Sequence, residues 1–262
     1  MQSADNPIGI LDSGIGGLSV AAAIRERLPN EPLIYVGDSA HVPYGGHPED
    51  FIRARTLFLA QFLVDRGAKA IVIACNTATA AAANTLRSHL SLPVVGMEPA
   101  VKPAAAATRS GIVGVLATAG TLSSARFAGL LDRFGEGIRV LTESSGDLVR
   151  LVESGEISGP RARSTVAAHV RPLVDDGADT LILGCTPFTL LREMIEAEAG
   201  PAVTVIDTGP AVARQVHRRL GESGLLAGAR GGITLFTSGD PARFSAVARR
   251  LCPGAPDAVP LD

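Results

Sequence analysis

Cys75 and Cys185 occupy matching places in the chain. Ile71-Val72-Ile73-Ala74-Cys75-Asn76-Thr77 and Leu181-Ile182-Leu183-Gly184-Cys185-Thr186-Pro187 are each an apolar run of strand type that ends in a small residue, a cysteine and a polar turn. Helical patterns follow, from Ala78 to Leu90 and from Phe188 to Ala199, so each thiol is expected at a strand-to-helix turn. The positive end of a helix lowers a thiol's pKa and favours the reactive thiolate. Two thiols presented to one cleft could remove a proton from one face of a substrate carbon and deliver another to the opposite face, without a cofactor. The α-proton of an amino acid is a very weak acid, so the base must be held close and the developing carbanion met by oriented donors. Asn76, Thr77 and Thr186 are of the right type to donate, and Asp12 is a candidate carboxylate for tuning one thiol. The plain alternative is that a buried cysteine is a small hydrophobe; that reading suffices for Cys252, beside Pro253 near the chain end.

Asp12-Ser13-Gly14-Ile15-Gly16-Gly17 is a glycine-rich turn between a strand and a helix. Its spacing is neither the dinucleotide fingerprint nor a P-loop. Backbone N–H groups at a helix N-terminus suit an anion such as a carboxylate, although glycines also serve simply to permit a tight turn. Thr118 and Thr121, at the corresponding turn of the second half, carry hydroxyls for the same purpose and could equally be helix caps.

The elements that must position these residues alternate along the chain. Ile8 to Leu11, Leu33 to Val36, Ala70 to Ala74 and Val94 to Val95 read as short buried strands, separated by helical patterns at Leu18 to Leu28, Pro48 to Arg66 and Ala78 to Leu90. The pattern restarts with strands at Gly111 to Leu116, Ile138 to Leu141, Thr180 to Leu183 and Val203 to Ile206, with helices near 123–134, 148–153, 160–176 and 188–199. Such alternation predicts parallel sheets covered by helices on both faces. The halves begin alike, Gly9-Ile10-Leu11-Asp12 against Gly114-Val115-Leu116-Ala117, which predicts two related α/β units with ligands at the C-terminal ends of their strands. A helix at Pro210 to Leu220 and a strand at Ile233 to Thr237 are expected to return to the first unit, giving domains at 1–98 plus 208–262 and at 99–207. Gly221 to Gly232 reads as a loop and Pro253 to Asp262 as a loose tail.

Composition narrows the class. In 262 residues, 46% are hydrophobic and 19% charged, with a net charge of −2, which fits a globular protein and offers no nucleic-acid footprint. No apolar run reaches the roughly 18 residues of a membrane span. Met1 to Pro7 is too short and polar for a signal peptide, and three widely spaced cysteines fit a reducing cytoplasm. Only two basic residues are lysines, Lys69 and Lys102. A pyridoxal phosphate enzyme needs a Schiff-base lysine, and both read as solvated element ends, so no cofactor is expected.

With these residues assembled, the chain resembles the glutamate racemases, cofactor-independent enzymes that supply D-glutamate for peptidoglycan. The resemblance runs from Ile8 to about Leu251 and is carried by Leu11-Asp12-Ser13-Gly14-Ile15-Gly16-Gly17-Leu18, Tyr35-Val36-Gly37-Asp38, Val42-Pro43-Tyr44-Gly45, Ala74-Cys75-Asn76-Thr77-Ala78, Gly96-Met97-Glu98-Pro99-Ala100, Leu116-Ala117-Thr118, Leu183-Gly184-Cys185-Thr186 and Thr237-Ser238-Gly239-Asp240. It implies two Rossmann-like (flavodoxin-like) α/β domains with parallel sheets, an active site in the cleft between them, no metal, and a homodimer. It also implies that Cys75 exchanges the α-proton on the D-glutamate face and Cys185 on the L-glutamate face. Asp12, Ser13, Tyr44, Gly45, Asn76, Thr77 and Thr186 would hold the substrate, with Asp12 also serving Cys75.

The departures lie around the second thiol. The family usually carries a histidine two residues after that cysteine, where this chain has Pro187, with Thr186 expected to cap the helix and Pro187 to take its first position. The family's Cys-Pro pair upstream of Glu153 is absent from Ser144-Ser145-Gly146-Asp147, and His41, where the family often has Arg or Asn, reads as a surface residue. Two other functions stay open on the sequence: a diverged epimerase or decarboxylase acting on another carboxylate, and a non-catalytic amino-acid-binding protein.

Overall fold

The computed structural model describes residues 3–228 and 231–261. The chain runs β1 (Ile8–Asp12), α1 (Leu18–Arg27), β2 (Leu33–Gly37), α2 (Glu49–Asp65), β3 (Ala70–Ile73), α3 (Asn76–His89) and β4 (Val94–Gly96). It continues through α4 (Val101–Ala107), β5 (Ile112–Ala117), α5 (Ala119–Leu122), α6 (Ala125–Phe134), β6 (Arg139–Ser144), α7 (Gly146–Glu153), α8 (Pro160–Asp175), β7 (Thr180–Leu183), α9 (Arg192–Ala199) and β8 (Thr204–Ile206). It ends with α10 (Gly209–Glu222), β9 (Ile233–Thr237), α11 (Pro241–Leu251) and β10 (Ala258–Pro260). Two short 3-10 turns, Tyr44–Gly46 and Thr186–Leu191, precede α2 and α9.

The chain divides into two compact units, residues 1–97 with 209–262, and residues 98–208. In the first, the strands form one parallel sheet in the order β10-β9-β2-β1-β3-β4; in the second, β6-β5-β7-β8. Parallel strands need helical crossovers that cover both faces, which is why the central strands are apolar throughout. Every residue of β1, β3 and β7 is buried, and each large aliphatic side chain so placed contributes about 1.5–3 kcal/mol. The edge strand β6 instead carries an exposed Arg139 and no fully buried residue.

The order 2-1-3-4 of the first unit recurs as 6-5-7-8 in the second, so the likeness between the strand sequences extends to topology. Gly9 and Gly114 show why it extends to packing. A Cβ on Gly9 would lie 3.0 Å from Leu63 and Ala68; one on Gly114 would lie 2.6 Å from Leu181 and 3.0 Å from Leu173. In each unit a leucine of the covering helix, α2 or α8, sits where the first strand has no side chain.

Three expectations fail. The tail is not loose: β10 pairs in parallel with β9, Ala258 opposite Leu235, and α11 precedes it, capped by the Asp240 carboxylate, which accepts from Ala242 and Arg243 N–H. Lys69 is not solvated but fully buried, with its ammonium 2.5 Å from Glu31 and also donating to the Ala4 carbonyl. A buried ammonium survives only when paired, and Glu31 in turn accepts from Ala227 N–H at 2.9 Å. The helix expected over 188–199 begins only at Arg192, after the 3-10 turn. Lys102 is exposed on α4, its ammonium 5.6 Å from the Phe134 ring. No helix among the described residues is long and apolar enough to cross a membrane.

Candidate active site

In the first sheet β1 lies between β2 and β3, so the chain leaves its C-terminal end toward opposite sides of the sheet. Crevices at such switch points are where open α/β sheets take ligands. The Ala74 N–H donates to the Leu11 carbonyl at 2.7 Å, which fixes the Cys75 strand end beside Asp12. One carboxylate oxygen of Asp12, Oδ2, accepts from Gly17 N–H at 2.8 Å and from the Tyr35 hydroxyl at 3.3 Å. The other, Oδ1, is buried without a hydrogen-bond partner. Burial raises the Asp12 pKa to about 6, against the opposing pull of the Gly17, Ser13 and Gly14 amides and of Tyr35.

Cys75 is the N-cap of α3: its Sγ accepts from Ala78 N–H at 3.4 Å and lies 3.7 Å from Ser13 Oγ. The helix start was expected to favour the thiolate, and here the structure corrects the sequence. Burial and the Asp12 charge outweigh those donors and push the Cys75 thiol up to about 12. Asp12 therefore tunes the thiol by holding its proton on.

Asn76 and Thr77 form the first turn of α3 and are buried. Both polar atoms of the Asn76 carboxamide lack hydrogen-bond partners. Buried amides are nearly always paired, so this donor and acceptor, with Asp12 Oδ1, leave three open polar atoms at the neighbouring ends of β1 and β3. Tyr44 and Gly45 lie in the 3-10 turn. Tyr44 is buried in the same apolar cluster as Cys75, and its hydroxyl donates to Asp38 at 2.6 Å.

The second sheet repeats the geometry with different chemistry. The Gly184 N–H donates to the Leu116 carbonyl at 2.7 Å, so Cys185 stands to Thr118 as Cys75 stands to Ser13, and Ala117 takes the place of Asp12. Thr118 caps α5 through Thr121 N–H, and the two hydroxyls are 3.0 Å apart. Cys185, Thr186 and Pro187 are buried. Thr186 is not the cap: Cys185 holds that position without a side-chain cap bond, and Thr186 and Pro187 begin a 3-10 turn. That turn is shorter than an α-helix and brings a weaker terminal field to the thiol.

Tyr35, Asp38 and Arg55 received no role from the sequence. Asp38 ends the Tyr35-Val36-Gly37-Asp38 motif, and a polar residue just past a buried strand was the available signal; Tyr35 lies within β2. Arg55 gave none, being one of several arginines on a helix. His41 is only partly a surface residue: its Nδ1 lies 3.0 Å from Asp38, and its ring packs on Phe51.

Two parallel α/β sheets of the same strand order, each ending its third strand in a cysteine, define a class, and the chain belongs to it: the Asp/Glu/hydantoin racemase family, whose model matches residues 17–216. Among individual relatives, the glutamate racemase of Ectopseudomonas mendocina is 52% identical over 249 residues, covering 94% of this chain and 95% of that protein. Among solved structures, a Bacillus anthracis glutamate racemase isoform matches with a TM-score of 0.88 at 32% identity, covering 98% of this chain and 97% of that one. Escherichia coli glutamate racemase, solved with L-glutamate and the activator UDP-MurNAc-Ala, matches at 0.84 and 32% identity, with coverages of 94% and 95%.

Proposed function

We propose that the protein is a glutamate racemase that interconverts L- and D-glutamate without a cofactor and so supplies D-glutamate for peptidoglycan. The observation that carries the reading is the set of open polar valences around the Cys75 thiol: Asp12 Oδ1 and both ends of the Asn76 carboxamide. An α-amino acid presents complementary groups, an ammonium for the carboxylate and a carboxylate for the amide N–H. The kinship with glutamate racemases supports glutamate as that amino acid.

In the proposed mechanism one thiol comes from each unit. Cys185 as thiolate removes the α-proton of L-glutamate, and the neutral Cys75 thiol delivers its proton to the opposite face. The reverse reaction exchanges the roles, so proton count and charge balance in both directions. Ser13, Tyr44, Gly45, Thr77, Thr118, Thr121 and Thr186 complete the substrate contacts. Pro187 stands where the family resemblance calls for histidine, and Cys185 sits at the start of its own 3-10 turn. We further take the protein to be cytoplasmic and a homodimer; light scattering in solution tests the dimer.

The deciding experiment is incubation of the purified protein with L-glutamate in deuterated water, with no added pyridoxal phosphate or metal. Deuterium entering the α-carbon together with loss of optical activity is expected. Binding of glutamate with no exchange would overturn the reading in favour of a non-catalytic protein.

A further inference from the structure

Asp38 follows β2 directly, and its side chain is wholly buried. Four bonds converge on the carboxylate. Arg55 of α2 donates Nε to Oδ2 at 2.9 Å and Nη2 to Oδ1 at 2.7 Å. Tyr44 donates its hydroxyl to Oδ2 at 2.6 Å, and His41 Nδ1 lies 3.0 Å from Oδ1. The Asp38 amide is tied to the Asp12 carbonyl at 3.0 Å, so this anchor is built on the strand end that carries Asp12. A carboxylate with both oxygens doubly engaged is a fixed acceptor, and the proposed proton transfers do not use it.

We infer that Arg55 is a positioning residue for the substrate: through Asp38 it holds Tyr44, and with it the Tyr44–Gly46 turn, against the Cys75 strand end. The inference rests on the reading of Tyr44 and Gly45 as substrate contacts. The fork of Arg55 matters because a paired, bidentate guanidinium lets a buried carboxylate stay charged. Burial alone would raise the Asp38 pKa; Arg55, Tyr44, Ser238 and His41 more than offset it and hold it at about 2. Without Arg55 the burial penalty is less opposed, so the carboxyl protonates at higher pH and its hold on the Tyr44 hydroxyl weakens. A lysine at position 55 restores charge but not the fork.

Tyr35 and Tyr44 are the two tyrosines, and the chain has no tryptophan; because Tyr35 donates to Asp12, which titrates at about 6, the near-ultraviolet spectra are taken in a Tyr35→Phe background, where they report on Tyr44. The test compares Arg55→Met and Arg55→Lys with Arg55 itself, all in a common His41→Asn background that stands as the wild-type reference, so that imidazole ionisation is not read. In Arg55→Met, KM for glutamate should rise at least about tenfold with kcat changed less, the pattern of lost uniform binding. Its tyrosine spectrum should show a step between about pH 4 and 7, within reach of a buried carboxyl released from its cation. With Arg55 in place that spectral step should be absent, in Arg55→Lys it should be intermediate, and KM in Arg55→Met should carry it on top of the pH dependence that Asp12 gives every variant. Unchanged KM and an unchanged tyrosine titration, with only a lowered melting temperature, would overturn the inference. If Arg55→Met does not fold, an Arg55→Lys protein identical to wild type in both readouts overturns it as well. Should wild type fail to racemise glutamate, the proposed activity falls, while the tyrosine titration needs no substrate and still decides whether Arg55 holds Tyr44 through Asp38.

Discussion

Replacing Asp12 by Asn should make the Cys75 thiol more reactive and the enzyme less active. With its pKa pushed up to about 12, Cys75 at pH 8 is ionised in only about one molecule in ten thousand, and ionising it costs about 5 kcal/mol. An ordinary cysteine, near 8.5, is about one-quarter thiolate at that pH. Part of the penalty is burial, which the substitution leaves in place. The rest is the Asp12 charge, present at pH 8 because that group titrates at about 6. A neighbouring like charge is worth about 1–3 pKa units, so the Asn variant should alkylate Cys75 about 10 to 1,000 times faster, with the thiol still above its ordinary value. Racemisation should move the other way. A charge-assisted hydrogen bond to the substrate ammonium is worth about 1.5–3 kcal/mol, hence a fall of about 10- to 100-fold in kcat/KM.

The assay is iodoacetamide labelling of the Cys75 peptide against pH, with thiolate absorbance measured as the difference between each protein and its Cys75→Ser counterpart. Far-ultraviolet circular dichroism confirms that the variants are folded. A thiolate step for Cys75 below pH 9 in wild type, or slower labelling in Asp12→Asn, would refute the reasoning. The first would show that the α3 terminus dominates; the second, that Asp12 serves the thiolate by some other route.

Cys75→Ser and Cys185→Ser should each abolish racemisation while the protein stays folded, because a serine hydroxyl is far too weak an acid for the exchange; normal turnover in either ends the two-thiol mechanism. Ionising Asp12 should destabilise the ligand-free fold: its folded pKa of about 6 lies above the unfolded value of about 3.9, so stability falls as pH rises through that window, by about 3 kcal/mol. Asp12→Asn should therefore raise the neutral-pH urea midpoint, whereas Asp38, held at about 2, contributes stability that is lost as pH falls from about 4 toward 2. Gly114→Ala, placing a Cβ 2.6 Å from Leu181, should lower the urea midpoint by about 1–3 kcal/mol of stability. Gly129→Ala, in open space on α6, should instead gain about 0.5–1 kcal/mol.

The layered α/β fold was legible because buried parallel strands must be apolar throughout, so Ile8 to Leu11, Ala70 to Ala74 and Thr180 to Leu183 stand out as compact runs. What escaped was short or long-range. β10 has three residues in a proline-rich stretch, and its pairing with β9 is a tertiary fact. α11 did carry a readable start in Asp240-Pro241, a cap followed by a proline at the first helical position. The thiols were found from their place after strands, but the protonation of Cys75 was not. Proximity to a helix terminus can be read from order along the chain, whereas burial and the closeness of Asp12 to Cys75 depend on β1 lying beside β3. Lys69 failed for the same reason, since a Gly-Ala-Lys turn says nothing of a glutamate 38 residues earlier. Arg55 was invisible because its role is fixed entirely by the carboxylate across from α2.

The difference between the two units bears on how a thiol held at about 12 can ever act as a base. The repeat places Asp12 in the first unit where the second has Ala117, and the first thiol carries the electrostatic burden of that carboxylate. In the proposed mechanism the burden is useful for L-glutamate, because Cys75 already holds the proton it would donate. For D-glutamate the same thiol must first lose it, and kcat/KM must still equal that for the L-enantiomer, since enantiomers have an equilibrium constant of one. On the proposed reading the substrate itself lifts the burden. Its ammonium, docking on the open Oδ1 of Asp12, neutralises the charge that helped hold the proton on Cys75. In the ligand-free state the buried, half-satisfied carboxylate keeps the thiol protonated and inert. An amino acid with a free ammonium then supplies the positive charge that both binds and permits ionisation. Strain stored at the site in this way is released only by a ligand of the right charge, which couples recognition of the α-ammonium to the chemistry at the α-carbon.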